Sequence, residues 1–188
     1  VETRPDLITP QEVAFLRELG VTRVELGAQH FFDFVLKKVN RGHFRRETAE
    51  ATFLLKEAGF KITYHLMLNL PGSNPFLDWL SALLFFAHPD FRPDHLKIYP
   101  LMVVKGAPIY QDFKEGKFHP YSADTLIRLL ASIKRFVPPY VRIIRVIRDI
   151  PADYIEGGTR FSNLREAVLR FMKEKGMRCR CIRCREPK

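Results

Sequence analysis

The three cysteines of the chain stand within six residues of one another, at Cys179, Cys181 and Cys184 of the stretch MRCRCIRCREPK. A CxCxxC spacing brings three thiolates into one turn just past a helix end, and thiolates are soft ligands for zinc. Structural zinc sites are closed tetrahedra, so a fourth ligand has to come from elsewhere. The competing reading is three reduced thiols without metal, because nothing in the sequence points to a compartment where disulfides persist. Three soft ligands this close favour the metal. The neighbouring arginines add to that by stabilising the thiolate form.

A second polar set falls at the ends of the expected strands. Glu2, Thr3 and Arg4 close the first, Glu25 and Gln29 the second, His65 and Asn69 the third, Lys97 and Tyr99 the fourth, Arg145 and Arg148 the fifth. Each alone reads as a hydrogen-bonded loop residue. Their recurrence on one face describes a mouth for a polar, anionic ligand. His30, His43 and His119 fall on loops, where a lone histidine is more often a cap than a ligand. There is no Ser-His-Asp order, no HExxH and no carboxylate pair spaced for acid and base on one helix. An enzyme built this way leaves its hard chemistry to a cofactor.

These residues need a frame, and the sequence alternates strand and helix signals. TPQEVAFLRELG has a Thr9 cap, Pro10 at the first helical position and a terminating Gly20. VTRVELGAQ reads as a strand, Asp33 to Val39 as a helix broken by NRGH, and Arg45 to Ala58 as a helix ended by Gly59. KITYHLMLNLPG is a strand running into a Pro71-Gly72 turn, Asn74 and Pro75 open a helix through Phe86, and Leu96 to Tyr99 form another strand. A loop is expected from Gly106 to Tyr121, then a helix from Ser122 to Phe136. YVRIIRVIRDIP reads as a strand stopped by Pro151, and FSNLREAVLRFMKEKG as a helix capped by Ser162 or Asn163. Such alternation predicts an α/β fold with a parallel sheet. The absence of GxGxxG and GxxxxGK[ST] favours an incomplete barrel over a doubly wound sheet, with its active face at the strand C-termini.

With 188 residues and 46% hydrophobic content the chain can bury a real core. No apolar run approaches the ~20 residues of a membrane span and no signal peptide opens the chain, so a cytoplasmic protein is expected. Lys and Arg number 31 against 21 Asp and Glu, for a net charge of +10. That balance favours a polyanionic partner, nucleic acid first. The opening VETRPD, without a methionine, reads as part of a longer protein.

In order and spacing, VETRPD, LGVTRVELGAQ, NRGH, YHLMLNLPGSNP, FRPDHLKIYPLMVVKG, PYSADTLIRLLASIKRFVPPYVRIIRVIRDIP and NLREAVLRFMKEKGMRCRCIRCRE resemble the family of Elongator catalytic subunits. These are tRNA-modifying enzymes that join a radical S-adenosylmethionine (SAM) domain to an acetyltransferase domain. The resemblance covers essentially the whole chain. ETRPD and NRGH alone would mark only radical SAM enzymes of the coproporphyrinogen-oxidase type, whereas KIYP, RDIP and CxCxxCRE together are far more specific. The resemblance implies a partial radical SAM (β/α)6 barrel, its later units over residues 1–158, followed by a helix and a zinc-binding linker over 159–188.

It further implies carboxymethylation of tRNA uridine(34), with SAM cleaved at a [4Fe-4S] cluster and acetyl-CoA as carbon donor. Glu2, Arg4, Gln29, Leu70, Pro71 and Gly72 look like parts of the SAM pocket. Lys97, Tyr99, Arg145 and Arg148 would line a basic cleft for tRNA. The cluster takes three cysteines from an early loop, and none precedes Cys179. Its ligands and the acetyltransferase domain are expected outside these residues, and this chain alone is expected to be inactive. Family members with this three-cysteine linker carry zinc, whose fourth ligand is a water, a histidine or a residue beyond Lys188. A homodimer or accessory Elongator subunits are further partners the family implies. GAQHFFD departs from the family pattern and leaves His30 and Phe31 without a carried-over role. Two other readings stand beside this one: a non-catalytic, zinc-stabilised tRNA-binding barrel remnant, and a radical SAM enzyme with a different substrate.

Overall fold

In the computed structural model the described residues are 1–147, 150–158 and 163–187. Five strands form one parallel sheet: β1 (Glu2–Thr3), β2 (Arg23–Gln29), β3 (Lys61–Leu68), β4 (His95–Pro100) and β6 (Arg142–Arg145). A small antiparallel pair, β5 (Val103–Val104) with β7 (Ile155–Gly157), lies apart from it. Spatial order in the large sheet follows chain order throughout. Strands that advance in one direction keep their crossover helices on one face, as in a segment of barrel, whereas a doubly wound sheet reverses direction.

The crossovers are helices whose starts are written locally. In α1 (Pro10–Glu18) the Thr9 hydroxyl accepts from the Glu12 amide at 3.1 Å, and Pro10 fills a position that needs no N–H. Asn74 caps α4 (Pro75–Ala87) through the Leu77 amide at 2.9 Å, and Ser122 caps α6 (Ala123–Phe136) through Thr125. The helices α2 (Asp33–Lys38) and α3 (Arg45–Glu57) complete the crossover from β2 to β3. On β3 and β4, Ile62, Tyr64, Leu96 and Ile98 are fully buried towards these helices. Phe31 knits that layer, with ring centroids 5.3 Å from both Phe85 and Phe91.

Two local expectations need correction. The stretch 106–121 is not structureless, because α5 (Ile109–Lys114) forms inside it between Gly106 and Gly116. Its ring Phe113 lies where a Cβ on Gly157 would stand, 2.8 Å away, so that glycine lets α5 pack on the small sheet. Among the described residues, the strand expected over 140–151 spans Arg142–Arg145; its pairing with β4 shifts register between Leu96 and Lys97 and ends at Lys97 with Arg145. The C-terminal helix α7 (Leu164–Glu174) has Asn163 at its cap position without a side-chain cap bond, and Ser162 lies outside the described residues. It packs on α6, and the short α8 (Ile182–Arg185) packs on β6. No described helix is long and apolar enough to cross a membrane.

Candidate functional site

The strand pleat sends odd-numbered residues of β2, β3 and β4 to the face opposite the helices. There Glu25, His65 and Lys97 meet. His65 Nε2 lies 2.7 Å from Glu25 Oε2, the same oxygen accepts from the Lys97 ammonium, and His65 Nδ1 stands 3.2 Å from Glu2 Oε1. The Tyr99 ring sits edge-on to His65 at 5.6 Å between centroids. Burial pushes the Glu25 carboxyl up, but the bonds from Lys97 and His65 outweigh it and hold the group below its ordinary value. Burial pushes the Tyr99 hydroxyl up. Glu2, Glu25 and His65 are close enough to share a cation, yet the Lys97 ammonium already neutralises Glu25. Arg145 pairs in register with Lys97 on the neighbouring strand. Arg148 lies outside the described residues.

At the strand C-termini the backbone turns sharply. Gln29 and Asn69 both adopt left-handed φ, +63° and +65°, which non-glycine residues rarely hold without support. Asn69 is held from three sides: its amide donates to Asp78 Oδ2 at 2.8 Å, its side-chain NH2 to the His119 carbonyl at 3.4 Å, and its side-chain oxygen accepts from the Tyr121 amide. Leu70 is buried, and Gly72 has φ +90° with the Lys38 side chain against it. Arg4 ion-pairs with Asp6 and lies over Gly42. Arg41 reaches the Gly27 carbonyl at 3.3 Å. Arg41 Nε and both ring nitrogens of buried His43 have no hydrogen-bond partner among the described residues, and burial pushes the His43 pKa down.

One cluster gave no linear signal. His30 Nε2 lies 3.2 Å from Ser73 Oγ and 3.3 Å from Asp78 Oδ1, and Ser73 donates to the same carboxylate. The three types match a nucleophilic triad, but their roles differ. His30 Nδ1 accepts from the Phe32 amide at 3.2 Å, so Nε2 carries the proton and the imidazole does not face the serine as a base; the serine proton goes to Asp78 instead. With His30 and Asp78 almost wholly buried, the cluster pins the Pro71-Gly72 turn to α4. His30 thereby has the role that motif comparison left blank.

The cysteine sulfurs all lie within 4.8 Å of one another, which fits three ligands of one metal ion. Hydrogen bonding with the other two cysteines pushes Cys181 down, with help from the Ile143 and Cys184 amides, while the same contacts and burial push Cys179 up. A bound metal would replace those shared protons. Two cations approach Cys184 Sγ: Lys134 Nζ at 3.6 Å and Arg165 Nη2 at 3.9 Å. The other arginines mostly sew the tail to the sheet edge. Arg183 donates to the Ile144 carbonyl at 3.3 Å, Arg185 to that of Pro139 at 2.7 Å, and Arg142 pairs with Glu186. No other cysteine exists in the chain, so these residues do not supply a second, [4Fe-4S]-binding trio.

A parallel sheet wound in one direction, with polar groups converging at its inner face and strand ends, defines a segment of a parallel α/β barrel, and two family models say of which kind. The radical SAM superfamily model matches residues 1–77 and the Radical_SAM C-terminal domain model residues 93–174, so the chain belongs to the radical SAM superfamily. Within it the chain is similar to the tRNA uridine(34) acetyltransferase of Dehalococcoides mccartyi, at 48% identity over 99% of this chain and 40% of the relative. Elongator complex protein 3 of Homo sapiens is 39% identical over 99% of this chain and 34% of the relative. The chain thus spans well under half the length of these relatives. Among solved structures, the archaeal Methanocaldococcus infernus Elp3 with an N-terminal deletion matches at a TM-score of 0.94 and 45% identity, covering 98% of this chain and 43% of that one. Coproporphyrinogen III oxidase from Escherichia coli shares the fold, with a TM-score of 0.51 and 21% identity over 69% of this chain and 29% of that one.

Proposed function

We propose that these residues form the radical SAM portion of a tRNA uridine(34)-modifying enzyme that attaches a carboxymethyl-type group with acetyl-CoA as carbon source. The observation that carries this is the likeness to tRNA uridine(34) acetyltransferases and to the archaeal Elp3 along virtually the whole chain, in sequence and in fold. Bound SAM, cleaved at a [4Fe-4S] cluster, supplies an organic radical. The cluster's ligands are not among the three cysteines here, so no step is assigned to it from this chain.

Position in the fold supports a division of roles among the chain's own residues. Glu2, Arg4, Gln29 and the Leu70, Pro71, Gly72 turn border the strand ends where SAM would sit. Lys97, Tyr99 and Arg145 face the inner surface, and with Arg148 they would meet the tRNA. The Glu25 carboxylate, between His65 and Lys97, keeps the Lys97 ammonium oriented into the lumen. Cys179, Cys181 and Cys184 would hold zinc, and residues 159–188 would join the barrel to an acetyltransferase domain. A cytoplasmic setting and accessory Elongator subunits or a second copy as partners fit this reading.

The net charge of +10 also supports a purely tRNA-binding, non-catalytic role. One experiment separates the two. Intact protein with its cluster reconstituted, given SAM, reductant, acetyl-CoA and tRNA, should release 5′-deoxyadenosine. Release no greater than a cluster-free control, alongside tRNA binding that weakens steeply with salt, would leave only the binding role.

A further inference from the structure

Lys134 looks unremarkable in sequence, a lysine near the end of a helix, yet its side chain is fully buried. Taking an ammonium out of water is costly unless an anion meets it. Among the described residues no carboxylate pairs with Lys134; the group it reaches is the Cys184 sulfur at 3.6 Å. Arg165 approaches the same sulfur from α7 at 3.9 Å and also donates to the Ile143 carbonyl at 3.5 Å. Two cations from two helices therefore converge on one ligand atom. Cys179 and Cys184 also border a cleft in which Lys173 and Arg178 stand beside the apolar Leu169, Met172 and Met177.

Charge balance then discriminates among fourth ligands. A divalent ion with three thiolates carries one net negative charge, and Lys134 with Arg165 contributes two positive ones. A neutral imidazole in the fourth position leaves an uncompensated positive charge at a half-buried site; an anionic donor removes it. No histidine or carboxylate joins the cysteine group among the described residues. We propose that Lys134 and Arg165 are positioning residues that balance the thiolate centre and select an anionic fourth ligand, a thiolate, carboxylate or hydroxide, over imidazole. This rests on the metal reading given above.

The test is zinc K-edge X-ray absorption on the intact protein, where iron does not interfere, combined with zinc affinity by chelator competition. Three sulfurs plus one oxygen, or four sulfurs, is expected. Outer-shell scattering characteristic of imidazole would overturn the proposal. Added 2-mercaptoethanol should convert an oxygen signal to sulfur if the donor is hydroxide and leave it unchanged if it is a protein carboxylate. Lys134→Met should weaken zinc about 10- to 100-fold, the usual effect of removing an outer-shell partner, whereas Lys134→Arg should hold it within about threefold. Should Lys134→Met fail to fold, Arg165→Gln carries the same test and should lose zinc affinity several-fold. Wild-type affinity in the charge-removing variant that folds would overturn the role of these cations. Absence of zinc from the wild-type protein would instead remove the metal reading itself.

Discussion

Asp78→Ala should be among the most damaging single changes outside the apolar core. Its carboxylate is almost wholly buried and accepts from the Asn69 amide at 2.8 Å and from the Ser73 hydroxyl, with His30 Nε2 at 3.3 Å. Hydrogen bonds to a charged acceptor contribute about 1.5–3 kcal/mol each, and donors left buried without a partner keep their desolvation cost. Two such bonds give a loss of about 3–6 kcal/mol, a large part of the stability of an ordinary domain, about 5–15 kcal/mol. Asp78→Asn, which retains one acceptor oxygen but no charge, should lose about half as much.

Urea unfolding followed by circular dichroism measures the loss. Hydrogen exchange should locate it, with the Asn69 and Ser73 amides losing protection first, because the latter closes the turn onto the Leu70 carbonyl at 2.9 Å. A loss below about 1 kcal/mol for the alanine variant would refute the idea that this carboxylate holds the turn.

Two further outcomes follow from the lumen and the mouth. The folded-state pKa of Glu25 lies below its ordinary 4.5, so its contribution is complete above that value and disappears as pH falls through the folded-state one. Thermal midpoints of wild type and Glu25→Gln should therefore differ at neutral pH and converge as pH falls through the lowered folded-state pKa, and a constant gap would contradict the Lys97 pairing. Gly72→Ala should cost about 1–2 kcal/mol in urea unfolding, because alanine is strained at φ +90°. The new Cβ also meets Lys38 Cδ at 2.8 Å, the flexible part of a side chain that can move aside. Adding Lys38→Ala should thus recover little, and full recovery would assign the cost to the side chain rather than the backbone.

Much of the frame is written in short stretches. Thr9, Asn74 and Ser122 mark three helix starts because a side-chain oxygen and the amide it caps are three residues apart. Strand alternation on β4 separates Leu96 and Ile98 from Lys97 and Tyr99 for the same local reason, and CxCxxC spacing alone brings three sulfurs together. The α5 turn escaped because a six-residue helix between glycines has too short a period to register.

What no short stretch contains is which polar groups become partners. Glu25 meets His65 across 40 residues and Lys97 across 72, a pairing fixed by the register of three parallel strands. Ser73, His30 and Asp78 converge only because the turn after β3 folds back against the end of β2. Lys134 carries no mark of its fate in sequence. It is buried because α7 and the cysteine tail close over α6, and at that depth the cysteine group is the anion within its reach. The chain by itself determined its elements and a cluster of three thiols; the tertiary structure decided which charges are desolvated together, since burial and long-range register are properties of the assembled fold.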